Sequence, residues 1–129
     1  MRIARYSLAG AEPAYGIVEL AADQGQFPDT IATISGDPLA GPVHYTGERH
    51  LLSEVRLLAP VIPRSKVIGV GRNFHDPKQP TAPSNEPPLL FFKPNTSVIG
   101  PEDVILKPQE VKELQFEGEL AIVISRICR

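Results

Sequence analysis

A β-rich α+β fold is predicted by two features of this chain. Its apolar residues fall in short runs, and fourteen prolines and ten glycines separate those runs, which disfavours long helices and suits strands joined by fixed turns. Taken in order, residues 3–8 and 15–20 read as two strands around Ala9-Gly10-Ala11-Glu12-Pro13, the simplest account being a hairpin. Residues 21–49 read mostly as loop, with a short strand or helical turn at 30–34 that Gly36-Asp37-Pro38 and Gly41-Pro42 terminate. Leu51, Leu52, Val55, Leu57 and Leu58 form an apolar segment of mixed period that ends at Pro60 and Pro63. That segment is expected to act as a hinge, so that residues 1–60 make a small N-terminal domain and residues 61–129 a second one.

The second part opens with Val67-Ile68-Gly69-Val70-Gly71, a compact strand that delivers Arg72, Asn73, Phe74 and His75 into a loop. Pro77, Pro80, Pro83, Pro87 and Pro88 punctuate this loop, whose length fits a lid or binding loop better than a simple connector. Residues 89–92 are the next apolar strand, which Lys93-Pro94 ends. Short strands are expected at 98–99 and 104–106, around Gly100-Pro101-Glu102-Asp103, and a last strand at 116–124.

Composition narrows the function. The chain has 129 residues, and thirteen Lys and Arg against fifteen Asp and Glu give a formal charge of −2. No basic run interleaved with aromatics is present, so no nucleic-acid partner is expected. Cys128 is the single cysteine, and no zinc spacing links it to His44, His50 or His75. The N-terminus carries no apolar stretch long enough for a signal peptide or a membrane span, and a cytoplasmic protein with no membrane partner is expected. Gly69-x-Gly71 is not a dinucleotide site, because a Rossmann turn needs a further glycine and a helix where Pro77 stands.

The most informative residues are Glu117 and Glu119, two carboxylates at the upstream end of an apolar run. On a strand they share one face with Ala121 and Val123. If that strand were covered on both sides, the two charges, about 6.5 Å apart at an effective dielectric near 20, would repel by roughly 2.5 kcal/mol. A hard divalent cation would compensate them: Mg²⁺ or Mn²⁺, with Ca²⁺ as a third candidate. The alternative is a pair of solvated carboxylates on an exposed strand end. Lys93 reads either as a lysine that snorkels from a strand end or as a cation for a substrate carboxylate. His75 reads either as a loop histidine or, beside Arg72 and Asn73, as a catalytic one.

Three ordered blocks carry a family resemblance. Residues 66–74 (KVIGVGRNF), 88–101 (PLLFFKPNTSVIGP) and 116–124 (FEGELAIVI) together resemble the fumarylacetoacetate hydrolase family. The resemblance covers about residues 51–129, and residues 1–49 resemble the family's variable N-terminal domain only loosely. It implies a mixed β-roll catalytic domain, a Mg²⁺ or Mn²⁺ cofactor, a homodimer, and hydrolysis, isomerisation or decarboxylation of small 2-oxo acids of the acylpyruvate or fumarylacetoacetate type. Glu117 and Glu119 fall on the family's first two metal ligands; the family's basic and polar substrate-holding residues lie further downstream, and Arg72, Asn73 and Lys93 are the substrate-binding candidates within this chain. The third acidic ligand lies further downstream in the family, so the chain is expected to be the N-terminal part of a longer enzyme, inactive alone and prone to self-association through its last strand. The family pattern Asn-Tyr/Phe-x-x-His meets Pro77 at its histidine position, which leaves His75 as the candidate base. A truncated, non-catalytic remnant or interaction module of the same fold is the alternative function.

Overall fold

The structure, a computed structural model, describes residues 1–25, 27–74 and 87–126. The chain divides into two compact units, Met1–Pro60 with Gly100–Arg129, and Val61–Ile99. Among the described residues it is strand-rich, with one short helix and two 3-10 turns, as the sequence predicts.

The first unit holds a five-stranded antiparallel sheet. Strands β1 (Arg2–Leu8), β2 (Ala14–Glu19), β3 (Thr30–Ser35) and β4 (His44–Leu51) form a meander, and β5 (Val55–Leu57) returns to the free edge of β1, giving the order β4-β3-β2-β1-β5. The predicted hairpin is β1 and β2. Its turn closes with the Ala11 amide donating to the Leu8 carbonyl at 2.8 Å, while Ala9 and Gly10 take positive φ of 47° and 79°. Residues 21–49, expected to be mostly loop, contain β3 and most of β4. The sequence of β4, HYTGERHL, hides the strand because it lies at the sheet's edge with nearly every residue exposed, so no apolar alternation is imposed on it. A register shift between Ala32 and Ile34 marks a bulge in the β3–β4 pairing.

Burial centres on β3, where Ile31, Ala32, Thr33 and Ile34 are all buried. The register places Tyr6, Gly16, Val18, Ile31, Thr33 and His50 on one face. Across that face the Tyr6 hydroxyl reaches over β2 to the Thr33 Oγ1, 2.8 Å away, and this buried pair satisfies both groups. The Tyr6 ring also meets the His50 ring, with centroids 6.0 Å apart. Small residues on β2 make the reach possible. A Cβ at Gly16 would collide with Cγ1 of Ile31 and stand 3.0 Å from the Ala32 carbonyl oxygen.

The second unit holds β6 (Val67–Gly71) and β7 (Leu89–Lys93), paired antiparallel as Val67↔Lys93 through Gly71↔Leu89. Both strands agree with the sequence expectation. The other expected strands do not form: residues 98–99, 104–106 and 116–124 have no ladder partner among the described residues. An apolar run supplies side chains for a sheet but no neighbour, and without a neighbour its backbone groups remain with water.

Ile31 is fully buried beneath its neighbours and cannot swing away from an added methyl group. Gly16→Ala should therefore lower stability by about 1–3 kcal/mol, the usual cost of overpacking a core. Urea unfolding followed by circular dichroism measures it; an unchanged midpoint would contradict the close approach at this position.

Candidate functional site

In the second unit the pairing puts Val67, Gly69 and Gly71 of β6 on the same face as Lys93, Phe91 and Leu89 of β7. Two of the three β6 positions are bare backbone, and β7 side chains lie across them. A Cβ at Gly69 would stand 2.6 Å from Phe91 Cε2 and collide with Cζ, and one at Gly71 would stand 3.1 Å from Leu89 Cδ2. Only glycine at 69 lets the Phe91 ring lie there. Lys93 extends its Nζ over that ring, 5.7 Å from the centroid, within the range of a cation–π contact.

Arg72 follows β6 directly, with φ of 55°. A left-handed conformation at a non-glycine residue costs about 1 kcal/mol or more, and it turns the chain off the end of β6. Arg72 and Asn73 are both exposed. The ribbon does not bring Arg72 beside Lys93. Lys93 pairs with Val67, five residues before Arg72, a distance of about 17 Å along the strand. His75, the candidate base, and most of the expected lid lie outside the described residues.

Glu117 and Glu119 belong to the first unit, and both are exposed, in a segment where Phe116, Leu120 and Ile122 are exposed as well. This is the alternative of solvated carboxylates, not the covered strand. In water, two carboxylates about 6.5 Å apart repel by only about 0.6 kcal/mol, so no compensating cation is required by electrostatics alone. Among the described residues no group of three or more His, Cys, Asp or Glu side chains is gathered closely enough to hold a metal ion. The donors of Glu117 and Glu119 are hard oxygens, of the type that Mg²⁺ and Mn²⁺ take, and they supply part of such a shell.

The segment that carries these glutamates is tied at its start to the sheet. Asp103 accepts the Gly100 amide at 2.8 Å on Oδ2 and Arg56 Nη2, from β5, at 2.7 Å on Oδ1. The Gly100 amide first, and then the Arg56 guanidinium, hold the Asp103 carboxyl below the usual carboxylate range. Neither partner was legible in the sequence, because Arg56 and Asp103 lie 47 residues apart. On the sheet itself, a shallow depression of about 330 Å³ is lined by Glu19, Ala32, Tyr45, Gly47, Glu48 and Arg49. Its central charges are already paired: Glu19 accepts from Arg49 at 2.8 Å and from the Thr30 hydroxyl at 3.1 Å. It contains none of the residues that the sequence singles out. No helix among the described residues is long and apolar enough to cross a membrane.

Comparison with known proteins covers nearly the whole chain. Residues 1–60 match the family described as Rv2993c-like, N-terminal, and residues 66–129 match the family described as Fumarylacetoacetate (FAA) hydrolase C-terminal. Protein Rv2993c of Mycobacterium tuberculosis is 42% identical over 102 residues, 78% of this chain and 37% of that protein. Human mitochondrial oxaloacetate tautomerase FAHD2A is 40% identical over 75 residues, 57% of this chain and 24% of that protein. Among solved structures, the 5-carboxymethyl-2-hydroxymuconate delta-isomerase of Mycobacterium smegmatis superposes with a TM-score of 0.58 at 33% identity, over 77% of this chain and 35% of that one. The chain thus spans less than two-fifths of the length of each of these relatives.

Because Asp103 has a depressed pKa in the fold, its anchoring contribution is present above the ordinary carboxylate pKa and is lost only as pH falls through the lower folded value. The Gly100 amide resonance should hold its position as pH falls to about 4 and move only below it. Asp103→Asn should abolish that titration; a midpoint at or above the ordinary value would refute the anchor.

Proposed function

Because the chain belongs to the fumarylacetoacetate hydrolase family, we propose that it contributes to a metal-dependent enzyme acting on small 2-oxo acids of the acylpyruvate or fumarylacetoacetate type. Hydrolysis, decarboxylation and isomerisation share an enolate-like intermediate. Proton-shifting chemistry is favoured among them, since one relative is named a tautomerase and another an isomerase. The observation that carries the reading is Lys93, whose ammonium lies over the Phe91 ring on the exposed β7 strand, a cation placed where a substrate carboxylate could pair with it.

In this proposal Lys93 holds a substrate carboxylate, and Arg72 and Asn73 bind its remaining polar groups from the start of the loop. His75 takes a proton from the carbon beside the 2-oxo group and returns it to the product, or positions water where the reaction is hydrolytic. Glu117 and Glu119 are the residues that would hold a Mg²⁺, Mn²⁺ or Ca²⁺ ion, and such an ion supplies Lewis-acid stabilisation of charge on the 2-oxo group. The domain boundary near residue 60, a cytoplasmic location and a homodimeric assembly belong to the same proposal. The two family matches, which meet between residues 60 and 66, support that boundary.

A second reading, a non-catalytic interaction module, draws on the exposed apolar side chains of Phe116, Leu120, Ile122 and Ile124. Calorimetric titration with Mn²⁺ separates the two. Glu119→Ala should weaken binding at least about tenfold if the pair ligates the ion, since it removes one of two charged ligands. Equal binding by the two proteins, together with self-association in light scattering, would favour the module.

His75→Ala should lower the rate of oxaloacetate keto–enol interconversion by at least about tenfold in the protein that shows this activity, the lower part of the range for a positioned acid or base. An unchanged rate would return His75 to the role of a loop residue.

A further inference from the structure

Two residues on or just beyond the β6–β7 ribbon are used by the proposed chemistry, and a third, on β7, is not. Lys93 and Arg72 are the two, yet the register sets them about 17 Å apart along the strand. Phe91 is the third: a large aromatic residue, 44% exposed, whose ring edge occupies the space where a side chain at Gly69 would stand. Phe91 stands two residues from Lys93 in the direction of the Gly71 end, where Arg72 begins the loop.

A lysine at a strand end is free to extend away from the ribbon into water. Here its ammonium instead turns back along β7 and sits over the Phe91 ring. Two features hold the ring in place to receive it. The missing side chain at Gly69 leaves a gap that the ring fills, and Leu89 across Gly71 covers the next position along the same face. The ring's negative face then draws the ammonium toward the Arg72 end.

We infer that Phe91 is a positioning residue, which uses the gap at Gly69 to present its ring and so directs the Lys93 ammonium along the ribbon toward a carboxylate held near the Arg72 end. This rests on the reading of Lys93 as a carboxylate-binding residue. It adds that the aromatic ring, and the glycine beneath it, set where the lysine's charge is delivered.

The experiment pairs a spectroscopic and a binding measurement on the chain, with oxalate in the presence of Mg²⁺ as the probe. The Hε signals of Lys93 should lie upfield of those of the other lysines through the ring current of Phe91. Phe91→Leu should return them to the ordinary position and weaken oxalate about threefold, the loss expected of one exposed cation–π contact. Phe91→Tyr should retain both. Lys93→Ala should weaken oxalate about tenfold or more through loss of a charge-assisted hydrogen bond. If Lys93→Ala leaves oxalate affinity unchanged, the carboxylate reading of Lys93 falls, and the positioning role falls with it. If Lys93→Ala weakens oxalate but Phe91→Leu changes neither the Lys93 signals nor the affinity, only the positioning role is overturned.

Discussion

Close approach of a side chain to bare backbone is the constraint on which both units depend. In the five-stranded sheet, Ile31 lies against Gly16 and the Tyr6 hydroxyl crosses the same strand to reach Thr33. In the ribbon, the Phe91 ring lies against Gly69. Neither glycine is needed for a left-handed backbone, since neither appears among the positive-φ residues. Each is needed for the space above it. A strand with a methyl group there would hold its large neighbour off, and around the buried Ile31 a packed interior cannot absorb that displacement cheaply.

Legibility in the sequence followed the physical reason for each element. The strands β1, β2, β6 and β7 were readable because each carries an apolar run bounded by turn residues. β4 was unreadable because a sheet edge imposes neither burial nor alternation on His44–Leu51. The opposite error arose at 104–106 and 116–124. Those runs are as apolar as true strands, yet Val104, Leu106, Leu120 and Ile122 are exposed and no ladder pairs them among the described residues. Apolar patterning reports what a segment can bury, and pairing depends on a second segment that the pattern does not contain.

The candidate site shows the same division. Family motifs singled out Arg72, Asn73, Lys93, Glu117 and Glu119, and the structure distributes them over two units, with His75 outside the described residues. Gly69 was legible only as a failed nucleotide motif. Its use as the floor beneath Phe91 needed the β6–β7 register, which a one-residue slip would have changed entirely. The Arg56–Asp103 pair likewise required the fold, because no local spacing relates β5 to the turn before the glutamates.

The Glu117/Glu119 pair illustrates how strongly an electrostatic argument depends on burial. The same two charges repel by roughly 2.5 kcal/mol in a covered strand and about 0.6 kcal/mol in water, and only the first demands a cation. Both glutamates are exposed, so the case for a metal rests on the family motif and on the oxygen chemistry of the donors. Two carboxylates on an unpaired segment have no ladder among the described residues to hold their spacing, and fixing them around one ion would order the segment at an entropic cost. Strand pairing of residues 116–124 would remove that cost in advance. Ion affinity and pairing of this segment are thus thermodynamically linked: ion binding favours pairing, and pairing favours ion binding, by the same coupling free energy.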